Sequence, residues 1–178
     1  MTDKKSILSN IKITQDTFYS VSKKNKFMKE NQKIQCAEAV LNEYSIDDLI
    51  AKTIYVGKDS NQIFVSYAMY KTYAISRNYR QIVNILVQLI FQVIQTYGSF
   101  EMHIDLASFT STAMQRNLNV FQLYYDTCCK EGLNYDRKTL DKIVIYNTPS
   151  VIQALSTLLI KFTDKSIKEK TKKRKYLE

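Results

Sequence analysis

The sequence predicts an α/β protein: a mixed, mostly parallel sheet of four or five strands flanked by helices. Three observations predict it. Short β-rich runs recur at Thr53-Ile-Tyr-Val56, Gln62 to Met69, Phe100 to Leu106 and Lys142 to Asn147. The last two are separated by an amphipathic segment, Ser111 to Lys130, with Met114, Leu118, Phe121 and Tyr125 at helical spacing. Then Pro149 opens a further apolar segment, Val151 to Ile160. Strand, crossover, strand, helix is the grammar of a parallel sheet covered by helices.

Taken in chain order, residues 1–33 mix Lys, Asn, Ser and Gln with scattered Ile, Phe and Tyr, and are expected as an extended or weakly helical arm. From Ile34 to Ala51 the apolar residues partly follow helical spacing, with Ser45 and Asp47 as a break and new cap, so one or two short helices are expected. Gly57-Lys-Asp-Ser-Asn61 is a turn composition, and it joins the first two β-rich runs into an antiparallel hairpin. Arg77 to Tyr97 is apolar on most of its faces and closes at Gly98, a helix C-terminal cap; such a helix requires cover on more than one side. The strand at 100–106, the crossover helix and the strand at 142–147 follow, and the chain ends in a basic tail. The expected division is a basic arm at 1–33, an α/β domain at 34–162 and a basic tail at 163–178.

Composition narrows the function. With 178 residues, 45% of them hydrophobic, the chain is long enough for one well-buried core. Three glycines and one proline leave almost no tight phosphate-cradling turns, which argues against P-loop and dinucleotide-binding enzymes. The net charge of +9 is concentrated at the ends: residues 1–33 and 161–178 each hold eight Lys or Arg against three Asp or Glu, whereas 34–160 hold ten against eleven. A near-neutral body with basic ends is not the charge map of a dedicated nucleic-acid-binding domain, which carries its basic stripe on folded elements. The three cysteines, Cys36, Cys128 and Cys129, are odd in number, lack metal-site spacing and are accompanied by a single histidine, so buried thiols in a reducing compartment are expected, and no metal. Charge without an apolar run of signal-peptide length at the N-terminus points to a cytoplasmic location. Ile82 to Tyr97, the most hydrophobic stretch, is broken by Asn84, Gln88, Gln92 and Gln95 and is too short for the roughly 20 residues of a bilayer span.

The pairing of Ile104-Asp-Leu106 with Lys142-Ile-Val-Ile-Tyr-Asn-Thr-Pro149, followed by Ile160-Lys-Phe162, resembles a divergent CRAL-TRIO (Sec14-like) domain of the compact, degenerate type. The order and spacing match over about 110 residues. Asn147-Thr-Pro149 stands for the family's "Asn-Ala-Pro" motif, and Ile160-Lys-Phe162 for its "Pro-Phe-hydrophobic" motif. Where the family has a lysine-containing last strand, this chain has Lys165-Ser-Ile-Lys-Glu-Lys170, and the large N-terminal helical region is shortened.

The resemblance implies an apolar lipid pocket. Its floor would come from Phe64, Met102, Ile104, Val144 and Tyr146 or their alternating neighbours, and its mobile gate from Val151, Ile152, Leu155, Leu158 and Leu159. The same alternation also suits any covered sheet, whose residues simply fill a core. Lys168, Lys170, Lys172, Lys173, Arg174 and Lys175 form a basic run suited to an anionic membrane surface; it suits nonspecific nucleic acid or nuclear import as well, and no aromatics are interleaved for base stacking. His103 and Asp105, two residues apart, share a strand face, but no nucleophile motif accompanies them; a hydrogen-bonded structural histidine and an Asp105 that caps the following turn are expected. No catalytic residue and no cofactor is assigned. The expected function is a non-catalytic module binding a lipid or a membrane-bound partner at the periphery of a membrane. The alternative is a structural subunit of a larger assembly, such as a large DNA virus particle, that has lost the pocket and contacts protein subunits or nucleic acid.

Overall fold

Alternate residues in the β-rich runs are apolar, so each run gains most by covering one side. The computed structural model describes residues 4–22, 29–130, 139–147 and 169–174. Within them the runs form a five-stranded sheet in sequential order: β1 (Ile54–Val56), β2 (Gln62–Ser66), β3 (Phe100–Asp105), β4 (Leu140–Tyr146) and β5 (Thr171–Arg174). β1 and β2 are antiparallel, and β2 through β5 run parallel to one another. The chain is therefore an α/β protein with a mixed sheet flanked by helices. Between β1 and β2 the backbone of Gly57 comes so close to Phe64 that a Cβ there would lie 3.2 Å from the Phe64 ring and 2.6 Å from Ser60 Oγ.

The helices are α1 (Lys4–Val21), α2 (Lys29–Glu43), α3 (Ile46–Thr53), α4 (Tyr67–Tyr73), α5 (Tyr79–Tyr97), α6 (Ser111–Arg116) and α7 (Leu118–Lys130), with a 3-10 turn at Ser76–Asn78 before α5. α5 ends as its sequence requires: Gly98 takes φ +78 and its N–H bonds Ile94 O at 2.8 Å. Its buried stripe includes Ile82, Val83, Val87, Ile90 and Val93. Cover on several sides was expected, but Asn84, Gln88, Gln92 and Gln95 lie on an exposed stripe, so the helix is amphipathic. None of the described helices is long and apolar enough to cross a membrane.

Register divides the sheet into two faces, because strand partners point to the same side. On the core face lie Ile54, Ile63, Val65, Met102, Ile104, Ile143 and Ile145, the side on which the helices bury Leu49, Met69, Tyr73 and Ile90. Ile11 of α1 is fully buried in the same core with Val40 of α2, although its segment is basic and was expected as an arm. On the second face, called here the network face, lie Tyr55, Phe64, Ser66, Glu101, His103, Asp105, Lys142, Val144 and Tyr146.

Three elements differ from the sequence expectation. The second β-rich run was expected as strand to Met69, but strand stops at Ser66 and Tyr67–Tyr73 is helix. Met69 and Tyr73, four residues apart, both become fully buried in a helix, and that tertiary gain overrides the β preference of tyrosine. The crossover, expected as one helix, breaks at Asn117. There the Asn117 side chain donates to Ala113 O at 2.7 Å, drawing on the carbonyl that an uninterrupted helix uses for its backbone. The third difference is β5. Thr171–Arg174 supplies a strand just beyond the Lys165–Lys170 segment that stood in its place in the sequence.

Candidate functional site

β3 is flanked by β2 and β4, so its alternating side chains project from the middle of the sheet. On the network face these are Glu101, His103 and Asp105. His103 is 5% exposed and both ring nitrogens are engaged: Nδ1 lies 2.8 Å from Tyr146 Oη and Nε2 lies 2.9 Å from Glu101 Oε2. Glu101 also accepts from Lys142 Nζ at 2.8 Å and from Gln62 Nε2 at 3.3 Å. Burial raises the Glu101 carboxyl, but the hydrogen bonds from Lys142 and His103 outweigh it and hold the group below its ordinary value. An ionised Glu101 accepts only, so the network assigns the imidazole proton to Nε2, leaving Nδ1 to accept from the Tyr146 hydroxyl.

An apolar row lies beside this network. The Tyr55 and Phe64 rings stack at 5.2 Å between centroids, Phe64 meets the His103 ring at 4.8 Å, and His103 lies 5.8 Å from the Tyr146 ring in a stacked arrangement. Val144, the β4 partner of His103, is 1% exposed. Burial, with the Asp105 carboxylate nearby, pushes the Tyr55 phenol up. The network face thus sets aromatic and aliphatic side chains, several of them buried, beside one compact, mutually satisfied set of polar groups. Chemically, the Glu101–His103–Tyr146 chain can hold and orient a proton on the Tyr146 oxygen, and Lys142 fixes the far end.

The carboxyl ends of the parallel strands, where ligands of such sheets usually sit, are laced internally. Asp105 Oδ1 accepts from Ala107 N at 2.9 Å and from Asn147 Nδ2 at 2.7 Å. This is the expected capping role of Asp105, extended across to the end of β4. Lys71 Nζ donates to Ser108 Oγ at 2.6 Å, and Thr110 caps α6 by accepting from Ala113 N. Ser108 and Asn147 both adopt positive φ, so the two strand ends turn sharply.

The structure separates the proposed pocket floor. Phe64, Val144 and Tyr146 share the network face, whereas Met102 and Ile104 point to the core face, the first in the main cluster and the second partly buried against it. The alternating neighbour of those two, His103, is the β3 residue that joins the other three. The gate residues Val151, Ile152, Leu155, Leu158 and Leu159 lie outside the described residues, as do Lys168 and Lys175. Of the rest of the basic run, Lys170 Nζ donates to Leu140 O at 2.5 Å, and Lys172, Lys173 and Arg174 are exposed on β5. Cys36 is buried on α2 and Cys128 half-buried on α7. Among the described residues no cluster of three or more His, Cys, Asp or Glu side chains is placed to hold a metal ion.

Sequence reasoning found His103 but missed Glu101, Lys142 and Gln62. The Glu101/His103 pair was visible as a two-residue spacing, but the parts of Lys142 and Tyr146 depend on the β3/β4 register, in which Glu101 faces Lys142 and His103 faces Val144, one step from Tyr146. No protein-family model matches this chain, and no curated protein matches it.

Proposed function

We propose that this chain is a non-catalytic binding module, similar to the lipid-binding CRAL-TRIO domains, that associates with a lipid or a membrane-bound partner. The observation that carries the proposal is the two-part character of the network face. An amphipathic ligand needs an apolar floor with a few convergent polar groups, and here Tyr55, Phe64 and Val144 lie next to Tyr146, His103, Glu101 and Lys142. The parallel path from β3 through a helical crossover to β4 and on to a lysine-rich last strand supports the same reading. The polar set is mutually hydrogen-bonded, with no buried side-chain nitrogen or oxygen among the described residues left unpartnered.

Native mass spectrometry of the purified chain, with extraction and analysis of whatever co-purifies, tests the proposal. The expected result is one lipid per chain, lost in Phe64→Glu, a change at a half-buried position that leaves the thermal transition in place. A lipid-free wild-type chain overturns it and moves the assignment to a structural subunit.

A further inference from the structure

α5 buries Ile82, Val83, Val87, Ile90 and Val93 on its inward side, and on its outward side Arg80, Asn84, Gln88, Phe91, Gln92 and Gln95 are all exposed. A surface helix ordinarily opposes its apolar stripe with charge, as α1 and α2 do here with exposed Lys12, Asp16, Glu30 and Lys33. α5 does not: in a chain that is 24% charged, Arg80 is the only charged residue among its nineteen. Phe91, in the middle of the outward stripe, is 43% exposed. Within that stripe Asn84, Gln88, Phe91 and Gln95 recur at steps of four, three and four, the spacing at which one helix meets another along a straight seam.

We propose that the outward stripe of α5 is the contact surface of a two-fold dimer of this chain, in which two α5 helices pair antiparallel. Depletion of charge around a central aromatic is the composition of an interface core rather than of a solvent-facing surface. The chemistry of the stripe selects a second copy as the occupant. Amide side chains carry donor and acceptor together, so a row of them satisfies its own kind, as the same patch on both sides of a two-fold axis must. An acidic or basic partner finds no opposing row of charge, a nucleic acid finds one cation along the whole helix, and a bilayer finds amides where it requires an apolar face. In the antiparallel register Asn84 meets the partner's Gln95 and the stem of Gln88 covers the partner's Phe91, each twice by symmetry. Arg80 then lies beside the C-terminal turn of the second α5, where the end carbonyls favour a cation. The seam from residue 84 to 95 spans about 16 Å of helix, less than a standard-size interface uses, so a weak, reversible dimer is expected. Ile90 packs α5 into the core on the opposite side of the sheet from the network face, so the inference is independent of whether that face holds a lipid.

Sedimentation velocity of the full chain across a wide concentration range tests the proposal. The wild-type chain is expected to shift from monomer toward dimer as its concentration rises. Phe91→Glu, a change at an exposed position that leaves the thermal transition in place, is expected to raise the dimer dissociation constant by about tenfold or more, because it buries an unpaired carboxylate in the seam. Gln88→Glu is expected to do the same, and it carries the test should Phe91→Glu lower the thermal transition. The register has its own readout. Gln88→Glu mixed with Phe91→Lys is expected to form a heterodimer tighter than either variant's own dimer, since residue 88 of one chain then faces residue 91 of the other as an ion pair. A wild-type chain that stays monomeric up to about 1 mM overturns the proposal. A dimer that either folded Glu variant leaves unchanged overturns it in favour of contact through another surface. A mixture no tighter than the separate variants overturns it in favour of a different helix pairing.

Discussion

Glu101 sets the electrostatics of the network face. It is mostly buried, yet it receives Lys142, His103 and Gln62, and its carboxyl is held below the ordinary value of 4.5. A carboxylate whose folded pKa is depressed contributes stability that is fully present above its unfolded pKa and is lost as pH falls through the folded one. Chemical denaturation is therefore expected to show stability falling as the pH drops below about 4.5. Glu101→Gln should cost about 1–2 kcal/mol at neutral pH, because it strips the charge from three hydrogen bonds, and should flatten this acid limb. An acid limb of unchanged steepness in the variant would place the titration elsewhere. His103 and its strand face were legible in the sequence, since alternation alone puts residues 101, 103 and 105 on one side. Which carboxylate serves the imidazole was not. Asp105 is drawn off by Ala107 N and Asn147, and that competition exists only once β3 and β4 are side by side.

At the scale of the element, the sequence revealed where apolar periodicity was long and punctuated. α5, with a turn residue after it, and the β1–β2 hairpin stand where expected. The shorter elements, α4 and the α6–α7 pair, were decided by contacts that no local pattern encodes. Asn117 joins the two cases: its side chain donates to Ala113 O and accepts from the Tyr70 hydroxyl at 3.0 Å, tying the helical break to α4. Asn117 is 6% exposed, so replacing it removes a buried acceptor of the Tyr70 hydroxyl. Asn117→Ala is expected to cost about 1–3 kcal/mol in denaturant unfolding. Combined with Tyr70→Phe, the loss should be smaller than the sum of the two, because both remove the same bond. Additivity within about 0.3 kcal/mol would show that the bond contributes nothing to stability.

Across the whole molecule, the core face draws side chains from α1 to α5, and the fully buried member earliest in the sequence is Ile11, with Thr14 Oγ1 donating to Glu43 at 2.6 Å beside it. Ile11→Ala is expected to destabilise the chain by about 2–4 kcal/mol, read as a lower denaturant midpoint in a single transition. A change under about 0.5 kcal/mol would assign α1 to an independent arm. By itself the sequence determined the α/β class, the hairpin, the long α5 and its glycine stop, the crossover between β3 and β4, and the basic character of the ends, because each rests on local periodicity, turn chemistry or counted charge. Only the tertiary structure decided that Phe64, His103, Val144 and Tyr146 share one face while Met102 and Ile104 face the other, that Glu101 serves His103, and that part of the basic run is a strand paired with β4. Those outcomes depend on strand register, and register is fixed by which side of the whole sheet gains more from being buried.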